Sequence, residues 1–230
     1  DRRNPLGADE DGLFGIGRRG LPKCPPSFQK PPSRKKPPED VFTIEEIGLW
    51  LAACQRATVP RAIPGVTPAA FWTSLVTWSY NVGTRITTTL SITWDMMVAA
   101  DKLRVGPPII KGANVQEFYV NELAQRAVRT IRRADPRLFP WPHGVTYLHR
   151  VRRALLEDAG IPPERQFGFH GLRKCLCTEL MAINPMVAQK MMGHLGIAMS
   201  RDCYTSTRIV KRAMKKLPQP KRPDPQMRLF

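Results

Sequence analysis

The spacing of apolar positions changes character several times along the 230-residue chain. Ile47, Trp50, Leu51 and Cys54 recur at helical intervals, and Thr43 with Glu46 has capping-box spacing, so "TIEEIGLWLAAC" is expected to be a helix. Thr67-Pro68 supplies a cap and a first-turn proline for a second helix, which carries Phe71, Trp72, Leu75 and Val76 as far as "NVGTR". Across "KLRVGPPIIKGANVQEFYV", residues 102–120, short β-type runs alternate with Gly-Pro and Gly-Ala-Asn breaks. That pattern predicts a small antiparallel sheet of two or three strands. Helical spacing returns over 121–134 and 146–160, opened by Asn121 and Thr146, with arginine-rich polar faces. Four short helices are expected after that, over 170–182, 184–192, 200–206 and 208–217, the last stopped by Pro218. No internal repeat is present. The expected class is α+β, mainly α-helical with one small antiparallel sheet.

The ends differ from the middle. Residues 1–40 contain eight of the 23 prolines and little apolar periodicity, which reads as a basic, proline-rich linker. A folded domain is expected over 41–218, followed by a basic tail over 219–230. From Arg208 to the end, eight lysines and arginines stand against the single acid Asp224. The whole chain has 36 Lys and Arg against 19 Asp and Glu, a formal charge of +17, so a polyanionic partner is expected, most often nucleic acid. No apolar run reaches the 18 to 20 or so residues needed to span a bilayer, and no leader opens the chain, so no membrane role is expected. Five scattered cysteines lack framework spacing and suit a reducing, cytoplasmic setting.

Chemistry concentrates at Arg85 in "NVGTRI", Lys111 in "IIKGA", His170 and Arg173 in "HGLR", His194 in "MMGH", and Tyr204 in "RDCYTS". Each alone has an ordinary structural explanation. In this order, together, they resemble the catalytic domain of the tyrosine recombinases, the phage integrase family. The resemblance runs from about Val41 to Pro218. "GTRI…LSITWDMM" is similar to the family's first arginine box and "PERQFGFHGLRKCLCTEL" to its second.

The resemblance implies site-specific DNA cleavage and rejoining through a 3′-phosphotyrosyl bond, without metal, ATP or other cofactor. It also implies a tetramer assembled on double-stranded DNA, nucleoid association, a core-binding domain ahead of Asp1, and a post-tyrosine segment, "RIVKRAMKKL", that docks on a neighbouring protomer. Arg85 and Arg173 match the family arginines, Lys111 the hairpin lysine, His170 and His194 the two histidines, and Tyr204 the nucleophile. The residue chemistry agrees. Two guanidiniums can grip nonbridging phosphate oxygens bidentately, a hairpin lysine can protonate the leaving 5′ oxygen, and a phenol with a pKa near 10 needs such a cationic setting to attack at neutral pH.

Two positions depart from the pattern. Cys203 holds the place where the family usually has its tyrosine, so the nucleophile is Tyr204 or Cys203. Thr88 stands where an acid often follows the first arginine. Three rival readings remain: a DNA-binding relic acting as repressor or accessory factor, a zinc site among His170, Cys175, Cys177, His194 and Cys203, and a metal-dependent nuclease. The zinc reading lacks paired knuckle spacing. The nuclease reading lacks a paired carboxylate motif, Asp95 and Asp101 reading as a turn acid and a solvated one.

Overall fold

The structure, a computed structural model, describes residues 41–61, 63, 65–110, 115–192 and 207–222. The first helix, α1 (Ile44–Cys54), begins as its sequence predicts. Thr43 accepts from the Glu46 N–H at 3.2 Å while the Thr43 N–H donates to Glu46 Oε2 at 2.8 Å. Its apolar stripe packs against α2 (Pro68–Val82) and α5 (Val145–Asp158).

Helix α2 is buried on nearly every side, from Phe71 and Trp72 through Trp78 and Tyr80 to Val82. A helix apolar all round belongs at the centre of a domain, and α2 touches α1, α4 (Glu122–Thr130) and α6 (Phe169–Ile183). Aromatic rings from the 139–141 turn pack along it, with Phe71 stacked on Trp141 at 5.5 Å and Phe139 edge-on to Trp78 at 5.8 Å.

After a short α3 (Ile86–Ser91), three strands form an antiparallel sheet in the order β1 (Met97–Ala99), β2 (Lys102–Val105), β3 (Gln116–Tyr119). The β2–β3 register sets Leu103 opposite Phe118 and Arg104 opposite Glu117. Leu103, Val105 and Phe118 are buried, while Arg104 and Lys102 both pair with Glu117. Strand β3 contacts α7 (Pro185–Met192).

The last described helix, α8 (Thr207–Lys215), buries Val210, Ala213 and Met214 against α6 and α7 of its own chain, and Leu217 just beyond it is buried too. The Tyr80 hydroxyl donates to the Pro218 carbonyl at 2.6 Å and fastens this end to α2. The segment expected to dock on a neighbour is therefore seated on its own domain. Asp101, expected to be a solvated acid, pairs with Lys211 of α8. The expected 200–206 helix lies outside the described residues, as do the linker over 1–40 and most of the tail. Among the described residues no helix is long and apolar enough to cross a membrane.

Candidate active site

Arg173 is the centre of the arrangement. It lies one turn into α6, is 5% exposed, and donates to two backbone carbonyls, to Gly83 through Nη1 and to Met192 through Nη2, the latter at 2.6 Å. These carbonyls end two different helices. Gly83 caps α2 in the left-handed conformation, with φ of 71°, and Met192 is the last residue of α7. A guanidinium carries five N–H groups in a planar fork, so the two clamps leave three N–H groups for other acceptors.

The turn capped by Gly83 presents Arg85. Thr84 and Thr89 are buried beneath it, their hydroxyls 2.7 Å apart, and the Trp78 indole donates to Thr84 Oγ1 at 3.1 Å. Arg85 opens α3, its carbonyl accepting from the Thr89 N–H at 2.8 Å, and its side chain is exposed. Burial pulls the Arg173 guanidinium down to a pKa of about 10, and the nearby Arg85 charge adds to the shift. Arg173 thus feels the charge of Arg85. Two like charges held together in this way favour an anion between or beside them.

His170, at the second position of α6, is exposed and lies three residues before Arg173, on the same side of the helix. Gly171, between them, is where α6 meets α1's lead-in: a Cβ there would come within 3.0 Å of the Phe42 ring. Lys111 lies outside the described residues, in the connection between β2 and β3. Gln116, at the start of β3 and paired with Val105, donates to the Met191 carbonyl at 3.4 Å. Lys102, on β2, is engaged with Glu117 at 2.9 Å. His194, Cys203 and Tyr204 also lie outside the described residues.

Three of the four tyrosines are described. Tyr80 is buried with its phenol pushed up by burial. The Tyr119 phenol is also raised, by partial burial and then by Asp101. Tyr147 is stacked on Trp141 at 5.8 Å with Arg150 over its ring. Cys175 is buried and its thiol pushed up to about 12, while Cys177 is half-buried on another side of α6. Among the described residues no three His, Cys, Asp or Glu side chains gather as a metal site would require.

Sequence reasoning missed the Gly83 and Met192 carbonyls and the Thr84–Thr89 pair. Backbone acceptors leave no side-chain signature, although Gly83 directly after an apolar helix is a recognisable C-cap.

No family model matches the sequence, and no curated protein does. Among solved structures the chain is similar to XerA recombinase, a tyrosine recombinase, with a TM-score of 0.54 and 14% identity over 76% of this chain. The match covers 64% of that structure's chain. The mainly helical fold with one small antiparallel sheet is thus shared with a tyrosine recombinase.

Proposed function

We propose that this chain is the catalytic portion of a site-specific DNA recombinase that cuts and rejoins strands through a 3′-phosphotyrosyl intermediate. The observation that carries the reading is the Arg173 clamp. One buried guanidinium joins the turn that presents Arg85 to the end of α7, from which the sequence continues through Gly193 to His194. The hairpin that contains Lys111 is tied to the same end through Gln116 and Met191. Arg173 thus joins two of the segments that resemble the recombinase boxes, and the β2–β3 pair is tied to the neighbouring residue Met191.

In this reading Arg85 and the free edge of Arg173 bind the nonbridging oxygens of the scissile phosphate and stabilise the charge that builds in the transition state. His170 accepts or relays the proton of the attacking phenol, His194 donates a hydrogen bond to the phosphate, and Lys111 protonates the leaving 5′ oxygen. Tyr204 attacks phosphorus, the P–O5′ bond breaks, and the phosphotyrosyl ester keeps the energy needed for resealing to another 5′ hydroxyl. The environments of the other three tyrosines support this choice, because each of those rings is committed to packing or to a shielded phenol. DNA is the substrate and a tetramer on DNA the working assembly.

The test is covalent capture on nicked duplex DNA from the chain's own genetic locus, with the adducted peptide mapped by mass spectrometry. An adduct on Tyr204 supports the mechanism. One on Cys203 replaces the nucleophile, and tight binding without any adduct favours a DNA-binding relic.

A further inference from the structure

The apolar stripe of α5 runs through Leu148, Val151, Leu155 and Leu156, all buried, and continues to Ala159. Its register puts Arg152 inside the stripe, at 7% exposure. Helical spacing explains why the side chain is enclosed but not why it is an arginine. Its Nε is shut off from solvent with no hydrogen-bond partner. No carboxylate among the described residues offsets the charge; burial and then neighbouring Arg153 both push its pKa down. A guanidinium whose Nε is enclosed without a partner, and which no carboxylate offsets, weakens the protein that holds it.

What the guanidinium faces is the start of α6. A Cβ built on Gly168, the residue that opens this 15-residue helix, would lie 3.0 Å from Arg152 Nη1. No side chain caps that helix end. A helix amino terminus carries a partial positive charge and is suited to anions, so two positive groups meet here with no acid between them. Gly168 keeps the approach open, and the site reaches solvent where Gly168 is half-buried and His170 exposed. His149, one turn before Arg152, is held below its ordinary pKa by burial and then by Arg152, so at neutral pH its ring adds a polar group without adding charge.

We propose that Arg152 and the amino-terminal end of α6 form a second phosphate site, separate from the Arg85–Arg173 pair, that takes a backbone phosphodiester of bound DNA. A tetrahedral oxyanion met by a guanidinium and a helix start has both its charge and its lone pairs satisfied. The strongly basic chain makes nucleic acid the source of that phosphate. The assignment to DNA rests on the recombinase reading; the phosphate chemistry does not. Because His170 and Arg173 lie on α6, a phosphate bound at its start would set the helix against the same strand that the site cuts.

The experiment compares the full chain with Arg152→Met and Gly168→Ala, using inorganic phosphate and a 20-base-pair duplex as separate probes. Phosphate is expected to raise the wild-type melting temperature and to leave Arg152→Met unmoved, while Arg152→Met without phosphate melts at or above wild type. With the duplex, Arg152→Met is expected to bind about tenfold more weakly at low salt, with the log–log salt slope smaller in magnitude by about one. Gly168→Ala has a backbone conformation open to alanine, φ −76° and ψ −180°, and is expected to lose the phosphate response by crowding Nη1. This second variant decides the matter if Arg152→Met fails to fold. An equal phosphate response in wild type and in the folded variants overturns the site. A lost phosphate response with an unchanged duplex slope overturns the DNA assignment and points to a free phosphate. Capture at Tyr204 is measured separately, so failure of the recombinase reading leaves the phosphate result standing.

Discussion

Removing the Glu46 carboxylate tests how the start of α6 is held in place. Glu46 closes the capping box of α1 and also accepts both Nε and Nη2 of Arg165, the latter at 2.7 Å, while Arg165 Nη2 reaches the Val41 carbonyl at 2.9 Å. Arg165 stands four residues before α6, so this pair ties α1 to the lead-in of the helix that carries His170 and Arg173. Breaking one partner of a fully buried pair costs about 3–5 kcal/mol. These side chains keep 22% and 15% exposure, and water rescues part of that loss, leaving about 2 kcal/mol. The lost capping-box bond adds about 1 kcal/mol. Glu46→Ala should therefore lose about 3 kcal/mol in urea unfolding, at an unchanged slope, or roughly 6–12 °C in melting temperature for a domain of this size.

The pH dependence has a fixed sign. Burial alone would raise the Glu46 carboxyl, but the hydrogen bonds from Arg165 and from the Thr43 N–H outweigh it and hold the pKa below the ordinary 4.5. The stability gap between wild type and Glu46→Ala is thus full above about pH 4.5 and shrinks as pH falls through the lowered folded value. A gap under about 1 kcal/mol at pH 7, or one that widens on acidification, would refute the reasoning. A double-mutant cycle with Arg165→Ala should return about 1.5–2 kcal/mol of coupling.

Three further outcomes are expected. Arg173→Lys should lower covalent capture on nicked DNA by at least about 100-fold while duplex affinity stays within about tenfold, because an ammonium cannot bridge the Gly83 and Met192 carbonyls and still present a fork to phosphate; capture at the wild-type rate would remove Arg173 from the mechanism. Gly83→Ala places a Cβ 2.6 Å from Leu176 Cδ2 at a φ of 71°, so it should cost about 2–3 kcal/mol in chemical denaturation and depress capture along with stability. Duplex affinity measured between about 50 and 200 mM salt should fall with a log–log slope steeper than about −4, and a nearly flat profile would mean that the basic faces are not the DNA surface.

The elements that were legible in the sequence are those whose signals are local. Thr43 with Glu46, Thr67-Pro68 and Asn121 each cap the helix they announce, by hydrogen bonds of 3.2, 3.2 and 3.0 Å to the third helical N–H. What was illegible depends on partners far along the chain. Helix α4 stops at Thr130 instead of 134 because the chain turns back to pair with the segment before β1, where the Trp94 N–H donates to the Pro136 carbonyl and the Leu138 N–H to that of Ile92. Strand β1 gave no alternation because its residues are only partly buried or exposed, and its identity comes from pairing with β2. Arg85 was readable as a charged residue after a helix stop, yet its proximity to Arg173 rests on a clamp made of backbone oxygens.

The two arginines that matter most in the interior show why residue type alone is a weak guide to role. Arg173 and Arg152 are about equally buried, at 5% and 7%, and both are cations without an acid partner among the described residues. Arg173 has carbonyl acceptors, so part of its burial cost is offset within the fold, and in the proposed mechanism a phosphate beside Arg85 meets the rest. Arg152 has none, so the folded chain alone gives no reason for its charge, and a methionine of similar length would satisfy the stripe of α5 better. A positively charged side chain that weakens the free protein makes physical sense when the state that matters is the bound one. In that state the differential interaction with the ligand decides which residue is favoured.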